Sequence, residues 1–188
     1  MFLAKSETTK RKGLSVFLVF SLAFIVVFAG IVSGQQYIYT VSASTGDLYR
    51  IDIDINTNEV KKLPSLPPDR NWVNSKDNSP QDIYGNAYFT SLHGDVVRVA
   101  PNGDQTTIAN VGWYFLDSLE LAFDGNLYAL SYYDGRVVEI TPNGNVKEIA
   151  NLGSQYWLNL ELASNGNLYA LNFYYGRVVE ITLNGNVK

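Results

Sequence analysis

Glu120 and Glu161 stand in identical Leu-Glu-Leu-Ala settings, 41 residues apart. Two carboxylates that face one space can hold a divalent cation or share a proton, which is the chemistry of a metal-assisted hydrolase or lyase. Plain repetition of a structural residue explains the pair equally well. The chain has one His, His93, and no Cys. This excludes disulfides, thiolate zinc sites, iron–sulfur clusters, thiol nucleophiles and any site needing two imidazoles from one chain. A Ser-His-Asp triad cannot be assembled around a single turn-borne His. The run Asp52, Asp54, Asn56, Asn58, Glu59 has the look of a calcium loop. Thr57 occupies the sixth position, where such a loop needs Gly, and Leu63 stands at the twelfth, where it needs Glu. That run therefore reads as a polar strand face ending in a turn.

Aromatic side chains are the other candidates. Trp113, Tyr114 and Phe115 form one cluster, Tyr156 and Trp157 a second, and Tyr133, Tyr174 and Tyr175 flank Gly residues. Tyr and Trp combine a large contact area with a polar handle, so such clusters can bind a sugar, a peptide or another protein. Aromatics of a repeat protein also wedge between neighbouring units. Both readings stand at this level.

A repeat must position all of these residues. Residues 112–147 laid over 153–188 give 24 identities in 36 positions, including Gly125-Asn126-Leu127-Tyr128-Ala129-Leu130 over Gly166-Asn167-Leu168-Tyr169-Ala170-Leu171. A more diverged copy runs from Gly85-Asn86-Ala87-Tyr88 through Gly94-Asp95-Val96-Val97 to Ile108-Ala109-Asn110. Another holds Tyr37-Ile38-Tyr39-Thr40-Val41 and Gly46-Asp47-Leu48-Tyr49-Arg50-Ile51. Short alternating runs are separated by Asp-Gly-Asn, Asp-Gly and Pro-Asn-Gly, which are hairpin signals. The best copy predicts strands over 119–123, 126–132, 136–141 and 146–152. A four-stranded unit of ~40 residues cannot bury both faces alone, and stacks as a blade of a β-propeller.

The expected architecture is all-β, with antiparallel four-stranded blades over approximately 37–66, 72–111, 113–152 and 154–188. The strand count falls just short of four blades, and the near-identity of the last two copies points to an incomplete array. An open array exposes edges that invite self-association. In a propeller the turns between second and third strands share one face with the connections between blades. That face gathers His93, Trp113, Tyr114, Tyr133, Tyr156, Trp157, Tyr174 and Tyr175. Arg98, Arg136 and Arg177 recur after the same turn and are expected to pair with acids on neighbouring strands.

The series Asp124-Gly125-Asn126-Leu127-Tyr128, Gly135-Arg136-Val137-Val138-Glu139-Ile140 and Pro142-Asn143-Gly144 resembles the blades of NHL-repeat and gluconolactonase-like propellers. The resemblance covers residues 37–188. In its lactonase branch a six-bladed propeller binds a divalent metal through an acidic residue and several Asn or Asp near the channel. Glu120 and Glu161 are the nearest matches here, without assignable partners.

Residues 1–34 lie outside the repeats. Lys5, Lys10, Arg11 and Lys12 precede an uncharged apolar stretch over 14–32. This is the order of an export signal, ending in small residues before Gln35. As one helix the stretch would span about 28 Å, close to the ~30 Å of a bilayer core, so a retained anchor is the alternative. Either way the β domain is expected outside the cytoplasm, touching the membrane only through an uncleaved segment. Residues 35–188 carry ten Lys or Arg and seventeen Asp or Glu, a formal charge of −7. That balance argues against nucleic acid as a partner. The expected function is a non-catalytic binding or interaction module for a protein or glycan, without cofactor. The alternative is a lactonase-like hydrolase or lyase using a divalent cation.

Overall fold

The computed structural model describes residues 36–53, 59–73, 79–112, 118–153 and 156–188. These residues are almost entirely strand and turn. The expected N-terminal helix, including its apolar stretch over 14–32, lies outside them. Among the described residues no helix is long and apolar enough to cross a membrane.

Among the described residues, fourteen strands form four antiparallel sheets in chain order. The first sheet holds β1 (Gln36–Val41), β2 (Leu48–Ile53) and β3 (Val60–Leu63). The second holds β4 (Trp72–Val73), β5 (Ala87–Ser91), β6 (Asp95–Val99) and β7 (Gln105–Asn110). The third holds β8 (Leu119–Leu121), β9 (Leu127–Leu130), β10 (Arg136–Ile140) and β11 (Val146–Asn151). The fourth holds β12 (Trp157–Leu162), β13 (Leu168–Asn172) and β14 (Arg177–Ile181), with an isolated antiparallel bridge between Ile181 and Val187. Every sheet is a simple meander, as hairpin turns between consecutive runs dictate. The described residues thus form an array of propeller blades, with four strands described in two of them and three in the other two.

The residue alternation of each strand sorts side chains onto two faces. We call the face turned toward the next sheet forward and the other rear. Tyr39, Val41 and Leu48 on the forward face of the first sheet pack with Ala87, Phe89, Val97 and Val99 of the second. Tyr88 and Val96 of the second pack with Leu127, Ala129, Val138 and Ile140 of the third. Tyr128, Leu130 and Val137 of the third pack with Leu168, Ala170, Val179 and Ile181 of the fourth. The cores therefore sit between sheets, and no sheet buries both faces without two neighbours. The first strands of the third and fourth sheets converge, and Ser118 Oγ donates to the Leu158 carbonyl at 3.1 Å.

Two glycines show how tightly the blades nest. At Gly144 and Gly185 a Cβ would lie 2.3 Å and 2.4 Å from the carbonyl oxygens of Ile108 and Ile149 in the preceding sheet. Both have φ near +90°. The Asn-Gly turns are thus hairpin chemistry and inter-blade contact at once.

Candidate functional site

The aromatic side chains meet where the third and fourth sheets join. The β9–β10 turn presents Tyr132 and Tyr133, and the β13–β14 turn presents Phe173, Tyr174 and Tyr175. Buried Asn172 fixes the second turn, its Oδ1 accepting the Tyr175 amide at 3.1 Å. Tyr156, in the connection from β11 to β12, stands between the two turns. Its amide donates to the Tyr132 carbonyl at 2.8 Å, and its carbonyl accepts the Phe173 amide at 3.1 Å. One backbone thereby bridges two blades.

Six rings form a continuous cluster around Tyr156. Its ring centroid lies 5.8 Å from Tyr132 and 5.7 Å from Phe173, both edge-on, and 5.2 Å from Tyr174 at 31°. Tyr132 meets Tyr133 at 4.9 Å and Tyr174 meets Tyr175 at 5.0 Å, again edge to face. These are the favoured aromatic geometries, contributing about 0.5–1.5 kcal/mol per pair. The cluster is nevertheless open to solvent: Tyr133, Phe173, Tyr174 and Tyr175 are 44–66% exposed.

Tyr156 is also strained, with φ at +76°. A β-branched or bulky residue rarely takes that conformation, which costs about 1–3 kcal/mol and is held only by surrounding structure. The equivalent residue one blade pair earlier, directly before Trp72, is Asn71 at φ +50°, and its carbonyl likewise accepts an amide, that of Leu92, at 3.1 Å. Asn adopts the left-handed region readily. The backbone demand is therefore shared, while the ring at 156 is an additional choice.

Electrostatics at the site come from Asp134 beside Tyr133. Burial opposes its ionisation, but interaction with the Ser131 hydroxyl, followed by hydrogen bonds from the Arg136 side chain and backbone, holds its carboxyl below the ordinary value. Arg136 finds an acid, at 2.7 Å, in its own turn.

The sequence-predicted residues divide. Tyr133, Tyr156, Tyr174 and Tyr175 come together, joined by Tyr132 and Phe173, which composition alone did not single out. Their signal was adjacency, since each directly precedes a tyrosine already implicated. Trp157 corrects the expectation of an exposed platform residue. It is 2% exposed, and its indole N–H donates to the Gly153 carbonyl at 2.8 Å. Trp72 repeats this arrangement, donating to the Pro67 carbonyl at 2.7 Å. Both are blade-to-blade packing. His93 occupies the β5–β6 turn, one sheet before β9–β10, and its carbonyl accepts from Asn110 Nδ2 at 3.0 Å. Trp113, Tyr114 and Phe115 fall outside the described residues.

Glu120 on β8 is half-buried opposite Tyr128, and Glu161 on β12 is exposed opposite Tyr169. Asn159 Nδ2 donates to Glu161 Oε1 at 3.0 Å. Among the described residues no group of three or more His, Asp or Glu is placed to hold a metal ion. A depression lined by Pro67, Arg70, Trp72, Asp95, Val97, Gln105 and Thr107 lies elsewhere, and Arg70 and Asp95 pair in it at 3.2 Å.

No protein-family model matches the chain, and no curated protein does. Solved structures do match. A streptogramin B lyase shares 16% identity at a TM-score of 0.64, over 81% of this chain and 53% of that one. Virginiamycin B lyase from Staphylococcus aureus, in a catalytically inactive form with quinupristin, shares 14% at a TM-score of 0.64, over 83% and 55%. An auxiliary nutrient binding protein from Bacteroides thetaiotaomicron shares 11% at a TM-score of 0.58, over 78% and 45%. The chain spans about half the length of these structures. At such identities the likeness shows the propeller fold, and a lyase and a binding protein share it.

Proposed function

We propose that this chain is a non-catalytic, extracytoplasmic binding module whose ligand, a glycan or a protein surface, docks on the ring cluster around Tyr156. The observation that carries the reading is Tyr156 itself, a bulky ring kept in a left-handed backbone where the preceding blade pair uses Asn. Backbone strain concentrates where side-chain placement matters more than stability. The exposed rings of Tyr133, Tyr174 and Tyr175 supply flat apolar area with hydroxyls at the margin, suited to the C–H face of a sugar or to an apolar protein patch. The basic flank followed by the apolar stretch over 14–32 supports an exported domain.

The lactonase-like alternative would use Glu120 and Glu161 with a divalent cation. It draws less support, because the two carboxylates lie on successive equivalent strands and no third acid or imidazole joins them among the described residues.

The test is titration of the full-length chain against a panel of soluble oligosaccharides and peptides. A ligand from that panel should lose about thirtyfold or more in affinity with Tyr174→Ala, the cost of removing one ~2 kcal/mol aromatic anchor. Binding that survives the combined Tyr156→Ala and Tyr174→Ala change would place the ligand elsewhere.

A further inference from the structure

The turns that precede β5, β9 and β13 lie at the opposite ends of the blades from the Tyr156 cluster. Along β9 the six residue steps from Asn126 to Tyr132 separate the two faces by about 20 Å, at ~3.3 Å per step. The three turns share one build. The amide of Asp82, Ala122 or Ala163 donates to the carbonyl of Asn86, Asn126 or Asn167, and the carbonyl of the same residue accepts the amide of Gly85, Gly125 or Gly166. Nothing in that build needs an apolar side chain at the tip, and in the fourth sheet Ser164 and Asn165 fill it. In the second sheet the tip is instead Ile83 and Tyr84, 79% and 77% exposed, and in the third it is Phe123, fully exposed. Both of these sheets have a neighbour on either side, so this is not the exposure of an array's end.

The chain enters the first sheet at the same face. Gln36 pairs with Ile53 at the end of the β1–β2 hairpin remote from its turn. The Tyr37 carbonyl accepts Gln81 Nε2 at 2.9 Å, and the Tyr39 hydroxyl donates to the Gly85 carbonyl at 2.9 Å. The start of β1 is thereby tied to the turn that carries Ile83 and Tyr84. In the sequence only Ser33, Gly34 and Gln35 separate Gln36 from the uncharged apolar stretch over 14–32, a reach of at most about 14 Å.

We propose that the stretch over 14–32 is retained as a membrane anchor and that the outer leaflet of the bilayer covers this face, with Ile83, Tyr84 and Phe123 entering its interface. Single apolar side chains on convex tips offer no groove to a peptide, whereas a soft interface closes around each of them. Tyr suits the headgroup level, and Phe and Ile the acyl boundary beneath it. The charged residues of the turns on this face, over 82–86, 100–104, 122–126, 141–145, 163–167 and 182–186, are Asp82, Asp104 and Asp124, which fits a zwitterionic rather than an anionic surface. The Tyr156 cluster then points away from the membrane. This orientation rests on the extracytoplasmic placement proposed above and not on what binds at Tyr156.

Nitroxide quenching tests the contact. The chain has no Cys, so a thiol-reactive NBD fluorophore reports one engineered position. Ser164→Cys places it at the tip equivalent to Phe123, and Ser44→Cys in the exposed β1–β2 turn at the far face. Each labelled full-length chain is reconstituted in phosphatidylcholine vesicles with headgroup nitroxide lipid. Quenching should be about threefold or more stronger at 164 than at 44, as for a probe at the interface against one held well above it. Adding Ile83→Asp and Phe123→Asp should bring the value at 164 down to that at 44 while the β circular dichroism spectrum persists. Equal quenching at the two positions, quenching at 164 that ignores the two Asp changes, or a probe shielded from water but not quenched, as under another protein chain, would each overturn the proposal. So would an exported chain recovered with Gln35 as its first residue. Quenching reads lipid and the Tyr174→Ala titration reads ligand, so either can fail alone.

Discussion

Val137 and Val178 hold the same register position in successive sheets, yet Val137 is fully buried and Val178 is 63% exposed. The residue and its strand sequence, Arg-Val-Val-Glu-Ile, are the same. Only the neighbour differs, because the stability of a blade is a property of its contacts with adjacent blades. The same substitution should therefore have opposite consequences. Val137→Asp buries an unpaired carboxylate, which costs several kcal/mol, and should leave the chain unfolded or aggregated. Val178→Asp should shift urea unfolding in dilute solution by no more than about 0.5 kcal/mol, as expected of an exposed position. Comparable losses at both sites would show that the fourth sheet is covered within one chain.

Trp157 separates ligand contact from packing. Trp157→Ala removes a fully buried indole and its bond to Gly153, and should cost about 3–5 kcal/mol in urea unfolding. Trp157→Phe should recover part of that loss. Tyr174→Ala, at a ring 65% exposed, should leave stability nearly unchanged. Equal stability of the Trp157→Ala and Tyr174→Ala variants would contradict the packing role.

Much of this fold was legible in the sequence because a repeat writes the same local physics several times. The 41-residue offset and the Gly-Asn and Asp-Gly turns predicted strands over 126–132, 136–141 and 146–152, and β9, β10 and β11 fall within those limits. What was not legible depends on contacts between blades. Trp157 lies next to a connection and reads as a surface aromatic until the third sheet is seen to cover it. The Asn-Gly turns read as hairpin chemistry, since nothing local reveals that Gly144 touches Ile108. The left-handed backbone of Tyr156 could not be read from its residue type, because the bonds from Tyr156 to Tyr132 and Phe173 impose it.

That conformation reverses an ordinary preference. Ala commonly exceeds Gly in stability because Gly loses more chain entropy on folding. At φ +76° the order should invert. Tyr156→Gly should be more stable than Tyr156→Ala by about 1 kcal/mol, the cost of a Cβ in left-handed backbone. Both variants lose the ring and should lose binding alike. Measuring the pair by urea unfolding isolates the backbone cost from ring packing, and a more stable Ala variant would remove the strain on which the assignment of Tyr156 rests.

The chain should also lose stability in alkali. Tyr39, Tyr88 and Tyr128 are equivalent tyrosines on the forward faces of three sheets, each at most 9% exposed. Burial pushes each phenol up from its ordinary 10.0 to about 12. For Tyr88 a bond to the Asp82 carboxylate, and for Tyr128 the nearby charge of Glu139, act in the same direction. The folded chain thus holds these protons more tightly than the unfolded chain. Their contribution is fully present below pH 10 and is lost as pH rises from 10 to about 12. Urea midpoints measured across that window should fall steadily. Tyr128→Phe removes the titrating hydroxyl while keeping the ring, so its midpoint should fall less steeply than that of the parent. Parallel curves for parent and variant would mean that Tyr128 ionises as readily folded as unfolded, and that the third blade is not sealed by the fourth.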